Sequence, residues 1–529
     1  MTRVSVASPL RLATDAGLDA GRRGGNAIDA ALATAAVLTV AYPASCAIGG
    51  DLLALVREPD GHTTFIDASG RALFATDVEA VRSRHHQMPI HGPLPVTVPG
   101  MVGGWSALAA HGSALPWREL LAPAQAAADE GIAVSAGLAE SIEATVPALG
   151  PFPDLALLLA PGGMPLTEGQ TLRQPALART LAVLAGAGPS ALYDGELSET
   201  FCAGLAERGV PMTRTDLRDF RVDEAAPLQV NADGWQVQAG RPSSQAYLVL
   251  RLLGMLDTLG TEDGGQANTP LHRRLPAHLL GRAFLQLSDE RDAILADQRF
   301  MTQPLEDLLT PAALEQLAQS VLVDAGTRVV PAEPSAHPDG DTVAVVAADD
   351  EGRSVSLIQS LFHGFGSLIL EPNTGILLHD RGACFVLDPH SPNVLAPGKR
   401  PLHTLSPVLA QSVDAPDAHR LVVGTMGGHV QPQILTQVLS HLMAGEGAQD
   451  AVGAPRFTVG AWEAEDPADM LNVESDIDPK VLHELEAYPG PHSMLQSHDS
   501  RVGHAHAIRV TGSGSSATFD TGSDPRADG

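Results

Sequence analysis

Cysteine is nearly missing from this chain. Three residues, Cys46, Cys202 and Cys384, are scattered over 529 positions, too few and too far apart for a disulfide framework or a four-thiolate zinc site. They fit a reducing compartment. Long apolar runs are also lacking: no stretch of about 18 apolar residues occurs, so no membrane-spanning helix is expected. The opening MTRVSVASPLRLATDAG has neither the apolar core nor the small-residue cleavage site of a signal peptide. A cytoplasmic protein is therefore expected. Positive charge is scarce, with 33 Lys and Arg against 62 Asp and Glu and a formal charge of −29. That balance argues against a nucleic-acid or anionic-membrane partner. Cofactor signals are weak as well. Gly24-Gly25-Asn26 has no preceding strand and no following lysine, which excludes a phosphate loop. Gly100-x-x-Gly103-Gly104 reads as a close backbone crossing rather than a nucleotide fingerprint. His379-Asp380 and His504-x-His506 are minor metal candidates, since H-x-H on a strand is more often a surface face, and neither a metal nor a cofactor is expected.

What the chain does have is core. Hydrophobic residues make up 44% of it, and the mean hydropathy near zero is that of a water-soluble globular protein. Asn26 caps an almost wholly apolar helix, 26–40, ended by Pro43. Strands are expected at 51–56 and 63–67, joined across Pro59-Asp60-Gly61. Residues 95–105 read as a strand, a Gly-rich turn and a helix, and residues 115–135 as a helix pair opened by proline. A strand at 228–237, a helix at 247–259, a polar Gly-rich loop at 260–270 and helices at 275–299 and 311–325 follow. On the helix expected at 275–299, Asp289, Arg291 and Asp292 read as a structural ion-pair cluster. Later strands are expected at 402–411, 420–423, 505–510 and 516–519, with a helix at 433–443 and a strand and helix within 473–486. Helices, strands, then strands and helices again suggest helical layers on both sides of a two-sheet core.

The rest of the chain is organised around residues 340–366, GDTVAVVAADDEGRSVSLIQSLFHGFG. Two β-branched apolar runs, 343–348 and 355–361, flank the turn cluster Asp349 to Gly352, which predicts a buried hairpin. Thr342 heads its first strand, directly after a loose segment, 330–340, rich in proline, histidine and aspartate. Such a segment suits a backbone cut. On propensity alone Thr342 is a strand former. The chemical alternative is a nucleophile exposed by cleavage of the Asp341–Thr342 bond. A threonine hydroxyl needs an adjacent base, and a freed α-amine, titrating at about 7.7 to 8.0, would supply it from the same residue.

The stretch resembles the start of the small subunit in the γ-glutamyltransferase family of N-terminal-nucleophile hydrolases. Thr342, Asp349, Gly352, Phe365 and Gly366 fall at that family's spacing. The likeness continues in order through GGNAIDAALA, AIGGDLLALV, VTVPGMVGGW, LPWRELLAPAQAAADEGIAVS and MTRTDLRDF, then TGILLHDRGACF, PGKRPLHTLSPVL, GTMGGHVQPQ and the terminal SDPRADG. It covers the chain from about Ser8 to the end. The resemblance implies an α+β, four-layer αββα fold and self-cleavage between Asp341 and Thr342 into a large-subunit part, 1–341, and a small-subunit part, 342–529, intertwined as one domain. It implies Thr342 as nucleophile and α-amine base, Ser360 as a second hydroxyl bonded to it, and the N–H groups of Gly427 and Gly428 as an oxyanion hole.

Departures from the family concern compartment and substrate. Many members of the family are exported. Where an ammonium and a carboxylate of a glutamyl group would be held, this chain carries Phe362, Cys384 and His403-Thr404, with Arg71 near the place of an early arginine. A phenyl ring and a thiol cannot stand in for an amide and a carboxylate. The segment from Phe385 to Lys399 is also shorter than the family's lid-bearing loop. These features resemble the family's acylase and oxamate-amidohydrolase branch. The leading expectation is an amidohydrolase or acyltransferase acting on small-molecule amides through a Thr342 acyl-enzyme. A true γ-glutamyltransferase, with Arg71, Arg381, His403 and Thr404 as an unfamiliar carboxylate clamp, is the alternative, and an unprocessed, non-enzymatic member is a third. Oligomers beyond the two subunits are left open.

Overall fold

The computed structural model describes residues 2–260, 269–323, 341–462 and 466–528. The loose segment 330–340, most of the expected loop 260–270 and the end of the helix expected at 311–325 lie outside them. Two six-stranded antiparallel sheets form the middle of the molecule. In the first, the strands run in the order Val4–Ala7, Asp341–Asp349, Ser354–Phe362, Asp51–Arg57, Thr63–Ala68 and Asp223–Ala225. In the second the order is Thr518–Ser523, Ala505–Thr511, His419–Thr425, Val408–Ser412, Trp235–Ala239 and Leu228–Ala232. Residues from before and after position 341 build both sheets, so neither part could bury its faces alone.

Side-chain alternation along the central hairpin sets the layers. Ala344, Val346 and Ala348 face the second sheet, where they meet Leu409, Val422 and Ile508. Val343, Val345 and Ala347 face the other way, into a core shared with Ile28, Leu32 and Ala35 of the helix Ala27–Ala41. The far face of the second sheet is covered by the helices Tyr247–Thr258, Ala277–Ile294 and Gln431–Met443. Four layers result.

The buried helix Ala27–Ala41 tolerates its one acid because every lone pair there is used. Asn26 and Asp29 form a reciprocal cap, and Asp29 also accepts from Ser113 Oγ and the Ala114 and Leu115 amides. The hairpin turn is tied to the same helix end. Asp349 accepts from the Glu351 and Arg353 amides and from Ala27 N at 3.2 Å, while Gly352 takes φ 109°, a left-handed conformation that favours glycine.

Several elements differ from expectation. The strand expected at 228–237 is a two-strand hairpin turning at Asp233-Gly234, both with positive φ, a two-residue turn that D-G signals. The helix pair expected at 115–135 is one helix, Trp117–Glu130, with Pro123 inside it. The helix expected at 275–299 stops at Ile294. Of the strand expected at 402–411 only Val408–Ser412 joins a sheet, apart from an isolated bridge between His403 and Ser244. Its first half is drawn instead into side-chain bonds: Leu405 N donates to His403 Nδ1 and Ser406 N to Gln431 Oε1.

Candidate active site

Thr342 lies opposite Ser360 in the first sheet, and the ladder slips by one residue immediately afterwards so that Phe362 faces Asp341. That irregularity gathers four groups. Thr342 Oγ1 donates to Ser360 Oγ at 3.0 Å, and Ser360 Oγ donates to the Asp341 carbonyl at 2.8 Å. The Phe362 amide donates to Ser360 Oγ at 2.7 Å. A weaker approach comes from Arg381 Nη2 at 3.5 Å. Thr342 and Ser360 are both buried.

Arg381 begins the short helical turn Arg381–Cys384 and is itself fully buried. Its Nη1 donates to Thr404 Oγ1 at 3.0 Å and to Cys384 Sγ at 3.6 Å, and its guanidinium carbon lies 4.2 Å from the centre of the Phe362 ring. The nearest carboxylate in an ion pair with it is Asp51, 3.9 Å from Nε. Burial pushes the Cys384 thiol up to about 11 despite the adjacent guanidinium, so it stays a thiol. Phe362, Arg381, Cys384 and Thr404 therefore form one cluster around the Ser360 hydroxyl.

The other two expected substrate contacts do not join that cluster. His403 is occupied inside the protein: Nε2 faces Asp51 at 3.2 Å and Nδ1 accepts from the Leu405 amide. Burial and the Arg381 charge push it down to about 3, which keeps it neutral. Arg71 is half-buried and pairs with Asp223 at 3.7 Å, beside Arg400 and Arg299, and burial followed by those two cations lowers its pKa. Behind Arg381, burial alone would raise the Asp51 carboxyl, but His379 and His403 hold it well below the usual range.

Gly427 and Gly428 follow the strand His419–Thr425 with φ of 127° and 50°. Neither amide donates to an acceptor among the described residues. They connect to Thr342 through a chain of bonds, because Gln245 Nε2 donates at 2.9 Å both to Gly428 O and to Thr404 O. Two bare amide donors at a glycine turn can stabilise a developing oxyanion.

Sequence reasoning missed Gln245, Arg291, His429 and Asp51. Arg291 does pair with Asp292 at 2.7 Å, but its Nη1 also donates to Gln245 Oε1 at 3.1 Å. A signal was present: Leu280, Phe284, Leu287 and Arg291 share one buried helix stripe. The His504 and His506 pair is buried, not on a surface face, and among the described residues no group of His, Cys, Asp and Glu is placed to hold a metal ion. Nor is any described helix long and apolar enough to cross a membrane.

Known proteins resemble this chain over its whole length. The family model described as gamma-glutamyltranspeptidase matches residues 13–529, and the chain belongs to that family. It is 35% identical to the oxamate amidohydrolase proenzyme of Klebsiella pneumoniae, over 99% of this chain and 97% of the relative. It is 32% identical to the glutathione hydrolase-like YwrD proenzyme of Bacillus subtilis, over 100% and 98%. The structure of a cephalosporin acylase from Bacillus halodurans superposes with a TM-score of 0.86 at 29% identity, covering 100% of this chain and 95% of the other. The four layers are thus the αββα fold of the N-terminal-nucleophile hydrolases, in a family whose matched members are named as hydrolases and acylases.

Proposed function

We propose that the chain is a precursor that cuts itself between Asp341 and Thr342, into parts 1–341 and 342–529, and then hydrolyses small amides whose acyl group carries a carboxylate but no α-amino group. The observation that carries the substrate half is the buried guanidinium of Arg381 beside the Ser360 and Thr342 hydroxyls. A guanidinium fork suits a carboxylate. An ammonium placed in the same closed site meets a cation, a phenyl ring and a thiol instead, and leaving it uncompensated costs about 3 kcal/mol or more, over a hundredfold in affinity.

Maturation starts from the intact peptide bond. Thr342 Oγ1 attacks the Asp341 carbonyl carbon while the Ser360 hydroxyl holds that carbonyl's oxygen. The C–N bond breaks, and the acyl group passes from nitrogen to oxygen. Water then hydrolyses the ester, leaving a carboxylic acid on Asp341 and a free α-amine on Thr342. In turnover the same oxygen attacks the substrate carbonyl, its proton passing to the α-amine and on to the departing amine. The Gly427 and Gly428 amides receive the oxyanion. Water releases the acid and restores Thr342. Support comes from the shared Ser360 hydroxyl, from the two bare amides, and from matched relatives named as proenzymes. Three unpaired thiols agree with a cytoplasmic setting.

Glutathione hydrolysis is the second reading, favoured by the name of the Bacillus subtilis relative. Comparing kcat/KM for glutaryl and γ-glutamyl versions of one chromogenic anilide, with release of ammonia from oxamate alongside, separates the two. The proposal expects the amino-free substrates to win. A γ-glutamyl advantage of about tenfold or more overturns it.

A further inference from the structure

His429 takes no part in the steps above, yet it stands directly after Gly427 and Gly428, in the short turn Gly428–Val430. The residue is partly exposed as a whole. Both of its ring nitrogens are nevertheless sealed from solvent, and neither has a hydrogen-bond partner. A neutral imidazole carries one donor and one acceptor, and buried polar groups are normally paired. Its ring stands edge-on to Phe362, with centroids 6.3 Å apart and planes at 83°. That is the ring whose face carries the Arg381 guanidinium. Burial first, then the charges of Arg291 and Arg381, hold His429 well below the usual histidine range, so it remains uncharged.

We propose that His429 is a specificity-determining residue of the acyl pocket, giving its N–H to an oxygen of the acyl carboxylate that Arg381 binds. The inference rests on the amidohydrolase reading above. It accounts for an orphaned donor that is satisfied only when substrate is present. Access follows from maturation: Asp341 is the ladder partner of Phe362, so its release uncovers the ring beside His429. Reach limits the acyl group. Arg381 is one hydrogen bond from Ser360, and Ser360 one from Thr342. A carboxylate gripped there lies within a few bonds of the scissile carbonyl, a span that oxalyl, malonyl and glutaryl groups can meet.

Isothermal titration of the mature enzyme with oxalate and with acetate tests this, because a purely structural histidine would not alter the ratio of the two affinities. His429→Phe is expected to weaken oxalate about tenfold or more relative to acetate. An unchanged ratio overturns the inference, as does a wild-type enzyme that does not bind oxalate. Should His429→Phe fail to mature, His429→Leu takes its place, and failure of both assigns the ring a structural role and overturns the proposal. Binding is read separately from turnover. A His429-dependent oxalate site in an enzyme that prefers γ-glutamyl amides would sustain this inference while overturning the amidohydrolase reading, and the reverse pair of results would do the opposite.

Discussion

Arg381 lies over the face of Phe362, guanidinium carbon 4.2 Å from the ring centre, and this stacking aims its Nη2 at the Ser360 hydroxyl. Under the proposed function the pair offers a partner for carboxylate and none for ammonium. Removing the fork while keeping the bulk should therefore act on acyl carboxylates alone. Arg381→Met is expected to lower kcat/KM for glutaryl anilide or oxamate about a hundredfold. Arg71→Ala, which removes an arginine already paired with Asp223, should cost less than about threefold. Equal losses in the two variants would move the anchor to Arg71.

Ser360 Oγ donates to the Asp341 carbonyl, which belongs to the bond proposed to be cut. Ser360→Ala is expected to slow self-cleavage by roughly 10² to 10³-fold, the usual effect of removing one donor from a developing oxyanion, and Ser360→Thr should keep most of the rate. A gel time course of freshly synthesised precursor measures this. Unaltered cleavage in Ser360→Ala would leave the hydroxyl with no role in maturation.

Activity should rise with pH through a single ionisation near neutrality, that of the Thr342 α-amine, whose ordinary range is about 7.7 to 8.0. The nearby Arg381 cation disfavours the protonated amine, so Arg381→Met should move the acid limb to higher pH. Chelators are expected to have no effect. Loss of activity with EDTA that zinc restores would contradict an amine base.

How much of this was legible in the sequence depended on whether a position spoke through its neighbours in the chain or only through space. The hairpin around Thr342 was legible because β-branched runs and the Asp349 to Gly352 turn are local signals, and both strands run only one or two residues beyond the expected bounds at either end. Ser360, Phe362, Arg381, Cys384 and Thr404 were legible through resemblance and do converge. His403, expected as a substrate contact, faces Asp51, a partner 352 positions away that no local pattern shows. Gln245 carried no local mark at all. The failed half of the strand expected at 402–411 has a related cause, since its backbone bonds go to the Ser243 and Gln245 backbone and to side chains such as Asn393 and Gln431, which pattern reading does not see.

Stability should fall on mild acidification. Burial, chiefly, depresses His403 and His506 to about 3 and His504 to about 4, against about 6.5 in an unfolded chain. Below that value the unfolded state takes up protons that the folded state refuses, so stability is lost as pH falls, by up to about 1.4 kcal/mol per unit for each group. The loss ends near the folded values. His379, raised by Asp51 against the effect of burial, works in the opposite sense, as do the raised carboxyls of Asp67 and Asp349, but His91, His272 and His429 are lowered too and add to the loss. Asp51, whose carboxyl is held low, contributes fully above about pH 4 and is constant across this window. The urea midpoint of the Thr342→Ala precursor should drop between pH 7 and pH 5, and a flat or rising midpoint would contradict these assignments.

Intact-mass analysis of the purified protein, with sequencing of the N-terminus of its smaller piece, tests the central claim most directly. The account predicts fragments of about 35 and 20 kDa, the 55.0 kDa chain divided at position 341, with the smaller beginning at Thr342. Thr342→Ala should remain whole and inactive. An active enzyme that stays a single 55.0 kDa chain, or whose smaller piece begins at another residue, would contradict it.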